Sequence, residues 1–388
     1  MISKIFKISS VLLIIAATSI LLSSCKKSFE EDCPAIVEGP IDDFSGTTPY
    51  DLVIPPFFPQ MDIPLVDNPN TPFDDRNPLT VEGVDLGRFL FWEKQLSGDN
   101  TLSCGGCHFP EKAFSDPAQF SVGITGEEGT RQAMALFNLG WANDYFWDGR
   151  SKTLEEQVAE PVPNPIEMNQ SWEDAVAKIS ADPLYPPLFE TAFGSSEVTQ
   201  LRIQKAIASF MRTMISGNSK FDQSRIGMAT LSPEEQRGFD LFILEGGDPE
   251  SVQGGQNGAD CFHCHGFGSS QFSDYLPHNN GLDSVFLDLG IGGVTMNPLD
   301  YGRFKTPSLR NIELTAPYMH DGRFGTLEEV IEHYNSGGKP SSTIDSFMKY
   351  TTGGLTLPQS DKDALIAFLK TLTDQSFINN PDFQDPHE

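Results

Sequence analysis

Cys104-Gly105-Gly106-Cys107-His108 and Cys261-Phe262-His263-Cys264-His265 are two copies of one frame, Cys-x-x-Cys-His, and together they decide the fold. A zinc site can use Cys-x-x-Cys but has no need of the following histidine twice. A thioredoxin-like redox pair calls for a strand-to-helix setting and a single copy. The frame instead suits covalent attachment of a c-type haem: the two thiols add to the vinyl groups, and the adjacent histidine becomes the proximal iron ligand. Two such haems are expected, on Cys104, Cys107 and His108 and on Cys261, Cys264 and His265.

The residues before each frame also repeat. Gly87-Arg88-Phe89-Leu90-Phe91 and Arg237-Gly238-Phe239-Asp240-Leu241-Phe242 both read as an apolar helix leading through a loop to the pentapeptide. The second helix opens with Ser232-Pro233-Glu234-Glu235, offering an N-cap, a first-turn proline and a capping-box glutamate. Further helices are expected over 154–159, 172–179, 199–215, 327–334 and 362–372, and strand signals are few. The fold class is therefore mostly α, with two cytochrome-c-like domains joined near residue 225, each holding a covalent haem among long loops. The expected limits are 79–225 for the first domain, 226–378 for the second and 379–388 for a tail. Residues 25–78, rich in Pro and Asp, read as an extended tether.

Lys4, Lys7 and the apolar stretches Val11 to Ile15 and Ile20 to Leu22 read as an export signal over 1–24. Leu22-Ser23-Ser24-Cys25 resembles a lipoprotein signal, with Cys25 the lipidated first residue of the mature chain. The alternatives are an uncleaved anchor or a plain secretory signal, but the apolar run is short for a spanning helix. The expected location is the periplasm or cell envelope, on a lipid anchor, which suits haem attachment outside the cytoplasm. A net charge of −28 disfavours nucleic acid and favours cationic partners at low salt. Cys33 receives no role.

Three stretches after the first frame and two after the second carry a resemblance. They are Phe146-Trp147-Asp148-Gly149-Arg150, Leu154-Glu155-Glu156-Gln157 and Asn164-Pro165-Ile166-Glu167-Met168, then Phe304-Lys305-Thr306-Pro307-Ser308-Leu309-Arg310-Asn311 and Ala316-Pro317-Tyr318-Met319-His320-Asp321-Gly322. In this order, over roughly residues 79 to 375, the chain resembles the bacterial di-haem cytochrome c peroxidase and MauG family. The resemblance implies an oxidoreductase of the cytochrome-c peroxidase type, which reduces hydrogen peroxide to water with electrons from a small c-type cytochrome or copper protein. It implies peroxide chemistry at the first haem and electron storage or relay at the second. Glu167 would be the acid–base residue that carries a proton between the peroxide oxygens, worth roughly 10²–10⁴-fold in rate. Gln157 would be its hydrogen-bonding neighbour and Trp147 an electron relay between the haems. Taken alone, Glu167 reads as a carboxylate in an Asn-Pro-x-Glu turn and Trp147 as core.

The resemblance further implies a calcium ion between the haems, held by the carbonyls of Thr315 and Pro317. The usual third ligand, an asparagine, is here Gln132. Two departures bear on mechanism. No histidine lies between His108 and His263, so the cap found in peroxidases needing reductive activation is missing and the first haem is expected to be open. Where the family usually has a methionine ligand beyond His320, this chain has Tyr334, as MauG does. His333 and Met319 are the competing ligands. A phenolate stabilises oxidised iron, whereas methionine raises the potential. Tyr334 thus favours a MauG-like enzyme that uses high-valent haem to oxidise a protein or other specific substrate. A di-haem electron carrier is the third reading, disfavoured because a carrier needs no distal acid–base pair. The family's frequent homodimers make a dimer an expectation. His320 is expected at a haem rim, and His263 and His278 as exposed loop residues.

Overall fold

Each Cys-x-x-Cys-His follows a helix whose glycine lets a second helix cross it closely. Helix α1 (Val81–Trp92) carries Gly87, where a Cβ would lie 1.9 Å from the Ala206 carbonyl oxygen; in the second half Gly238 stands in the same relation to Ala364, also at 1.9 Å. The computed structural model describes residues 43–59, 61, 77–247, 257–266 and 270–387, all within one contact unit that spans Asp42–Glu388. The export signal, Cys25 and Cys33 lie outside the described residues.

After α1 come α2 (Leu154–Ala159), α3 (Trp172–Ala181), α4 (Tyr185–Phe193), α5 (Gln200–Thr213) and α6 (Lys220–Arg225). The second half has α7 (Pro233–Phe242), α8 (Phe262–His265), α9 (Ile291–Thr295), α10 (Leu327–Asn335), α11 (Gln359–Lys370) and α12 (Gln375–Ile378). The one two-stranded ladder among the described residues pairs β1 (Pro277–His278) with β2 (Phe304–Lys305), antiparallel. The fold is mostly α, and no helix of the described residues is long and apolar enough to cross a membrane. The Ser232–Glu235 capping box forms, and the same device starts α2 at Thr153 and Glu156 and α10 at Thr326 and Glu329.

Two apolar cores result. The first gathers Leu86, Leu90, Phe91, Phe114, Ile203 and Phe210 from α1, α5 and the loop after the first frame. The second gathers Phe221, Leu241, Phe242, Phe272 and Phe368 from α6, α7, α11 and the loop after the second frame. Each such side chain contributes about 1.5–3 kcal/mol by leaving water.

Two segments depart from expectation. The end of the expected second domain and the stretch expected as a tail turn back onto the first core: Phe377 and Phe383 are buried there, and Arg88 binds the carbonyls of Pro381 and Gln384, each at 2.8 Å. An apolar face around Phe114 is left open by the first half and needs these rings to close it. Part of the expected tether is likewise packed. Phe58 and Met61 are buried, and Trp141 Nε1 donates to the Pro59 carbonyl at 3.0 Å. Polar composition predicts the lack of helix there but not the anchoring by two isolated apolar residues.

The internal repeat runs further than the two helices and pentapeptides. At one constant spacing Arg131 to Asn138 maps onto Phe304 to Asn311, and Tyr145 to Arg150 onto Tyr318 to Arg323. Phe146 (φ 64°) and Met319 (φ 77°) are both left-handed, as are Gly149 (φ 63°) and Gly322 (φ 62°). Tyr145 Oη donates to the Leu139 carbonyl at 3.0 Å and Tyr318 Oη to that of Ile312 at 2.9 Å. The halves then clasp each other by matched bonds: Gln132 N–H donates to the His320 carbonyl and Lys305 N–H to the Trp147 carbonyl, both at 2.8 Å. Trp147 and His320 therefore occupy equivalent places where the halves meet.

Candidate active site

Two cavities flank this junction, with about 2860 Å³ (first half) and 2060 Å³ (second half) of non-atom space, their mouths included. Cys107 and His108 line the first, with Cys104 packed against the adjoining core. Cys261, Cys264 and His265 line the second.

The donor chemistry of each cavity fits a c-type haem. His108 Nδ1 lies 2.7 Å from the Phe114 carbonyl oxygen and His265 Nδ1 lies 3.0 Å from that of Phe272. A carbonyl only accepts, so Nδ1 carries the proton and Nε2 keeps the lone pair that a metal requires. Both acceptor residues are left-handed, Phe114 at φ 60° and Phe272 at φ 52°, a backbone cost of the kind tolerated at functional sites. Burial lowers the pKa of both histidines, that of His265 to about 4, which keeps the imidazoles neutral as ligands must be. The four cysteines are free of disulfides, and burial raises the thiols of Cys104, Cys261 and Cys264 to about 12 and Cys107 to about 11. A thiolate zinc site or a reactive redox pair calls for the opposite shift; a thioether link does not.

Glu167 and Gln157 both face the first cavity. The hydrogen bond to the carboxylate, however, comes from Asn164, whose Nδ2 donates to Glu167 Oε1 at 2.6 Å. Asn164 Oδ1 also accepts from Ile166 N–H at 3.2 Å. The turn expected from Asn-Pro-x-Glu thus exists, and it is what aims the carboxylate. Oε1 is taken, and Oε2 has no hydrogen-bond partner among the described residues. Burial raises the Glu167 pKa against the lowering effect of the Asn164 bond.

Trp147 lines both cavities, and its Nε1 donates to the Gln132 carbonyl at 2.8 Å. His320 lines both cavities as well, pinned against Phe304 with ring centroids 3.7 Å apart and 11° between planes. Gln132, Thr315 and Pro317 all line the second cavity, and Gln132 Nε2 donates to the Asp116 carbonyl at 3.0 Å, leaving Oε1 as a hard donor. Tyr334 is half-buried and lines the second cavity; desolvation pushes its phenol up to about 12 while Asn280 Nδ2, 3.2 Å from Oη, opposes the rise. Met319 shares that cavity. His333 does not line it; its Nε2 is engaged by the Asn280 carbonyl at 3.0 Å.

His263 and His278 are not the exposed loop residues expected. His278 is clamped between Asp345 (2.6 Å) and Asp274 (2.8 Å). His263 stacks on Phe347 and lies 3.1 Å from both Glu245 and Asp260, with the Lys349 ammonium among them in a cation's place. Alternating charge in distant loops gives no sequence signal for such pairings. Sequence reasoning also gave no role to Lys305, a buried lysine lining both cavities with Nζ 2.8 Å from the Asp144 carbonyl oxygen. Burial lowers its pKa to about 8.

Two haem-type cavities, each with residues of a Cys-x-x-Cys-His on its wall and the first also lined by Glu167 and Gln157, define a di-haem c-type cytochrome equipped for catalysis. The family described as di-haem cytochrome c peroxidase matches residues 81–230. Methylamine utilization protein MauG of Methylorubrum extorquens is 36% identical over 78% of this chain and 81% of its own length. Cytochrome c551 peroxidase of Nitrosomonas europaea is 32% identical over 85% and 90%. The solved structure of a MauG-like protein associated with microbial copper homeostasis superimposes with a TM-score of 0.73 at 36% identity, over 85% of this chain and 99% of that one. The chain belongs to the di-haem cytochrome c peroxidase family, and it is a two-haem oxidoreductase acting on hydrogen peroxide.

Proposed function

We propose that the protein reduces hydrogen peroxide to water in the first cavity, with electrons delivered singly by a small c-type cytochrome or copper protein. The observation that carries this reading is the carboxylate of Glu167, bonded by Asn164 on the wall of the cavity that His108 also lines. When bound, the haem on Cys104, Cys107 and His108 supplies the redox chemistry of O–O cleavage. Glu167 Oε2 takes the proton from one peroxide oxygen and returns it to the other, so that water can leave. Gln157, an amide, orients peroxide without accepting its proton. Burial suits Glu167 to both halves of that transfer, because it narrows the gap between its carboxylate and carboxylic-acid forms near neutral pH.

Besides His108, the one histidine among the described residues lining this cavity is His320, whose stacking on Phe304 keeps it from acting as a cap. That supports a site open to peroxide without prior reduction. Trp147 is proposed as the relay to the second haem, and His265 and Tyr334 are the residues that would hold its iron. Gln132 Oε1 and the carbonyls of Thr315 and Pro317 form an all-oxygen set suited to calcium. Residues 79–225 and 226–378 would be the two haem domains, apart from the returning C-terminus. Residues 1–24 and Cys25 are read as an export signal and lipid attachment point, placing the enzyme in the periplasm or cell envelope, where it would act as a homodimer.

Tyr334 favours a second, MauG-like reading, in which the oxidising equivalents pass to a specific protein or other substrate. Mixing the fully oxidised protein with hydrogen peroxide and a reduced c-type cytochrome tests both. Repeated donor oxidation without pre-reduction is the expected result. A single consumption of peroxide, with a lasting oxidised spectrum and an unoxidised donor, would reject the peroxidase reading in favour of the second.

A further inference from the structure

The spacing that relates the two halves also relates the walls of their cavities. Phe146, Leu154, Gln157 and Pro161 line the first; their counterparts Met319, Leu327, Val330 and Tyr334 line the second. The differences are chemical. At the left-handed position the first half offers a phenyl ring and the second a thioether. At the other end of the wall the first half offers proline and the second a phenol. The first cavity therefore has no ligand atom at either place, and the second has one at both.

Both second-cavity atoms meet one donor. Asn280 Nδ2 lies 3.2 Å from Tyr334 Oη and 3.5 Å from Met319 Sδ. An amide nitrogen carries two hydrogens, so the two contacts coexist. Asn280 is itself fixed from both sides. Its carbonyl accepts from His333 Nε2 at 3.0 Å, on the helix that bears Tyr334, and the Gly281 carbonyl accepts from Lys339 N–H at 2.7 Å. The residue before it, Asn279, is buried and donates to Ser341 and Thr343. Met319 reaches the cavity from a left-handed backbone, φ 77°, which a non-glycine residue holds only where its surroundings impose it.

We propose that Asn280 is the positioning residue that selects the axial partner of the second haem, presenting Tyr334 and holding Met319 in reserve. This rests on the reading of Tyr334 as a ligand. A strong phenol or phenolate acceptor and a weak thioether acceptor compete for the same amide, and the bond to Oη fixes the phenol's orientation. Without that donor the phenol loses its polar anchor in an apolar cavity, while the thioether is freed of its own. The thioether then takes the sixth position. Because a thioether favours reduced iron and a phenolate oxidised iron, the choice sets whether this haem stores oxidising equivalents or passes electrons readily.

The test uses visible and near-infrared spectra and redox titration of the full holoprotein carrying Asn280→Asp, Asn280→Leu, Tyr334→Phe, and each combined with Met319→Leu. Asn280→Asp keeps the shape but, ionised, has no N–H to donate. Both Asn280 variants are expected to lose the tyrosine-ligand spectrum, gain the charge-transfer band of thioether ligation and shift the second haem to higher potential. Adding Met319→Leu should abolish that band. Wild-type spectra in both Asn280 variants would overturn the inference. An unchanged spectrum in Tyr334→Phe would instead reject Tyr334 as a ligand, whatever Asn280 does. If the Asn280 variants fail to incorporate haem, Tyr334→Phe still decides the reserve role: a thioether band lost on adding Met319→Leu supports it, and no such band refutes it.

Discussion

Replacing Glu167 with glutamine isolates its proton chemistry from its structural role. The glutamine carbonyl can still accept the 2.6 Å bond from Asn164 Nδ2, so the turn and the side chain's aim are kept. What is lost is Oε2, the carboxylate oxygen outside that bond, which becomes an NH₂ unable to take a proton. Positioned acid–base groups contribute about 10²–10⁴-fold, equivalent to about 2.7–5.4 kcal/mol at 1.36 kcal/mol per decade. Glu167→Gln should therefore lower peroxide-dependent donor oxidation by that factor, with both haem spectra unchanged. The pH profile supplies the sign. Burial raises the Glu167 pKa, so the acid limb of kcat/KM should lie above the usual carboxylate range, and activity should fall as pH drops through it. Asn164→Ala removes the bond that lowers this pKa, so the limb should move to still higher pH. The assay is steady-state oxidation of reduced cytochrome across pH. Near wild-type turnover in Glu167→Gln, or a limb moving down in Asn164→Ala, would refute the assignment.

Four other outcomes are expected. Arg310 is fully buried and binds Asp222 through two bonds of 2.7 and 2.9 Å, so Asp222→Asn, which leaves a buried charge unpaired, should cost about 3–5 kcal/mol in denaturant unfolding of the holoprotein. Gly87→Ala and Gly238→Ala place a methyl 1.9 Å from a carbonyl oxygen on the crossing helix, and each should lower stability by at least the ~1–3 kcal/mol of overpacking, read as a drop in Tm. Burial lowers the His278 pKa, but bonds to Asp274 and Asp345 outweigh it and the net shift is upward. Its stabilising contribution is thus complete below the unfolded value of 6.5 and is lost as pH rises through the folded one, a slope that His278→Leu should flatten in a pH series of unfolding. Trp147→Phe removes the 2.8 Å bond to Gln132, and rapid-mixing spectra should show slower exchange of oxidising equivalents between the haems with peroxide binding intact.

The pentapeptides and helix starts are legible in the sequence because their signals are local. A Cys-x-x-Cys-His states its chemistry within five residues, and Ser232 with Glu235, or Thr326 with Glu329, closes a cap within four. Glu167 is legible as a position, but its partner is not: the motif points to Gln157, while the hydrogen bond comes from Asn164, which reads as mere turn. Asn280 carries no signal at all, since its importance comes from Tyr334 and Met319, which lie far along the chain. The return of Phe377 and Phe383 to the first core is hidden for the same reason. Nothing near them in sequence reveals the open face they fill.

The repeat explains why one architecture supports two different cavities. The halves share the crossing helices, the left-handed corner, the capped helix after it and the reciprocal clasp of Gln132 on His320 and Lys305 on Trp147. These elements fix where a side chain enters each cavity and leave its chemistry free to vary. Glu167 has Pro340 as its counterpart, Gln157 has Val330 and Pro161 has Tyr334. The first half thus keeps a carboxylate and an amide with no ligand atom at the corner, and the second keeps ligand atoms with no acid at the place matching Glu167. At the junction the pair divides in the same way: Trp147 offers an oxidisable indole, whereas His320 is buried, held neutral by that burial and stacked in place. If this division is causal, peroxide chemistry should follow the wall residues rather than the haem motif. Introducing the first-half residues at Met319, Val330 and Tyr334, as Met319→Phe with Val330→Gln and Tyr334→Pro, should open the second cavity to external ligands such as cyanide without conferring turnover, because no carboxylate stands where Pro340 does.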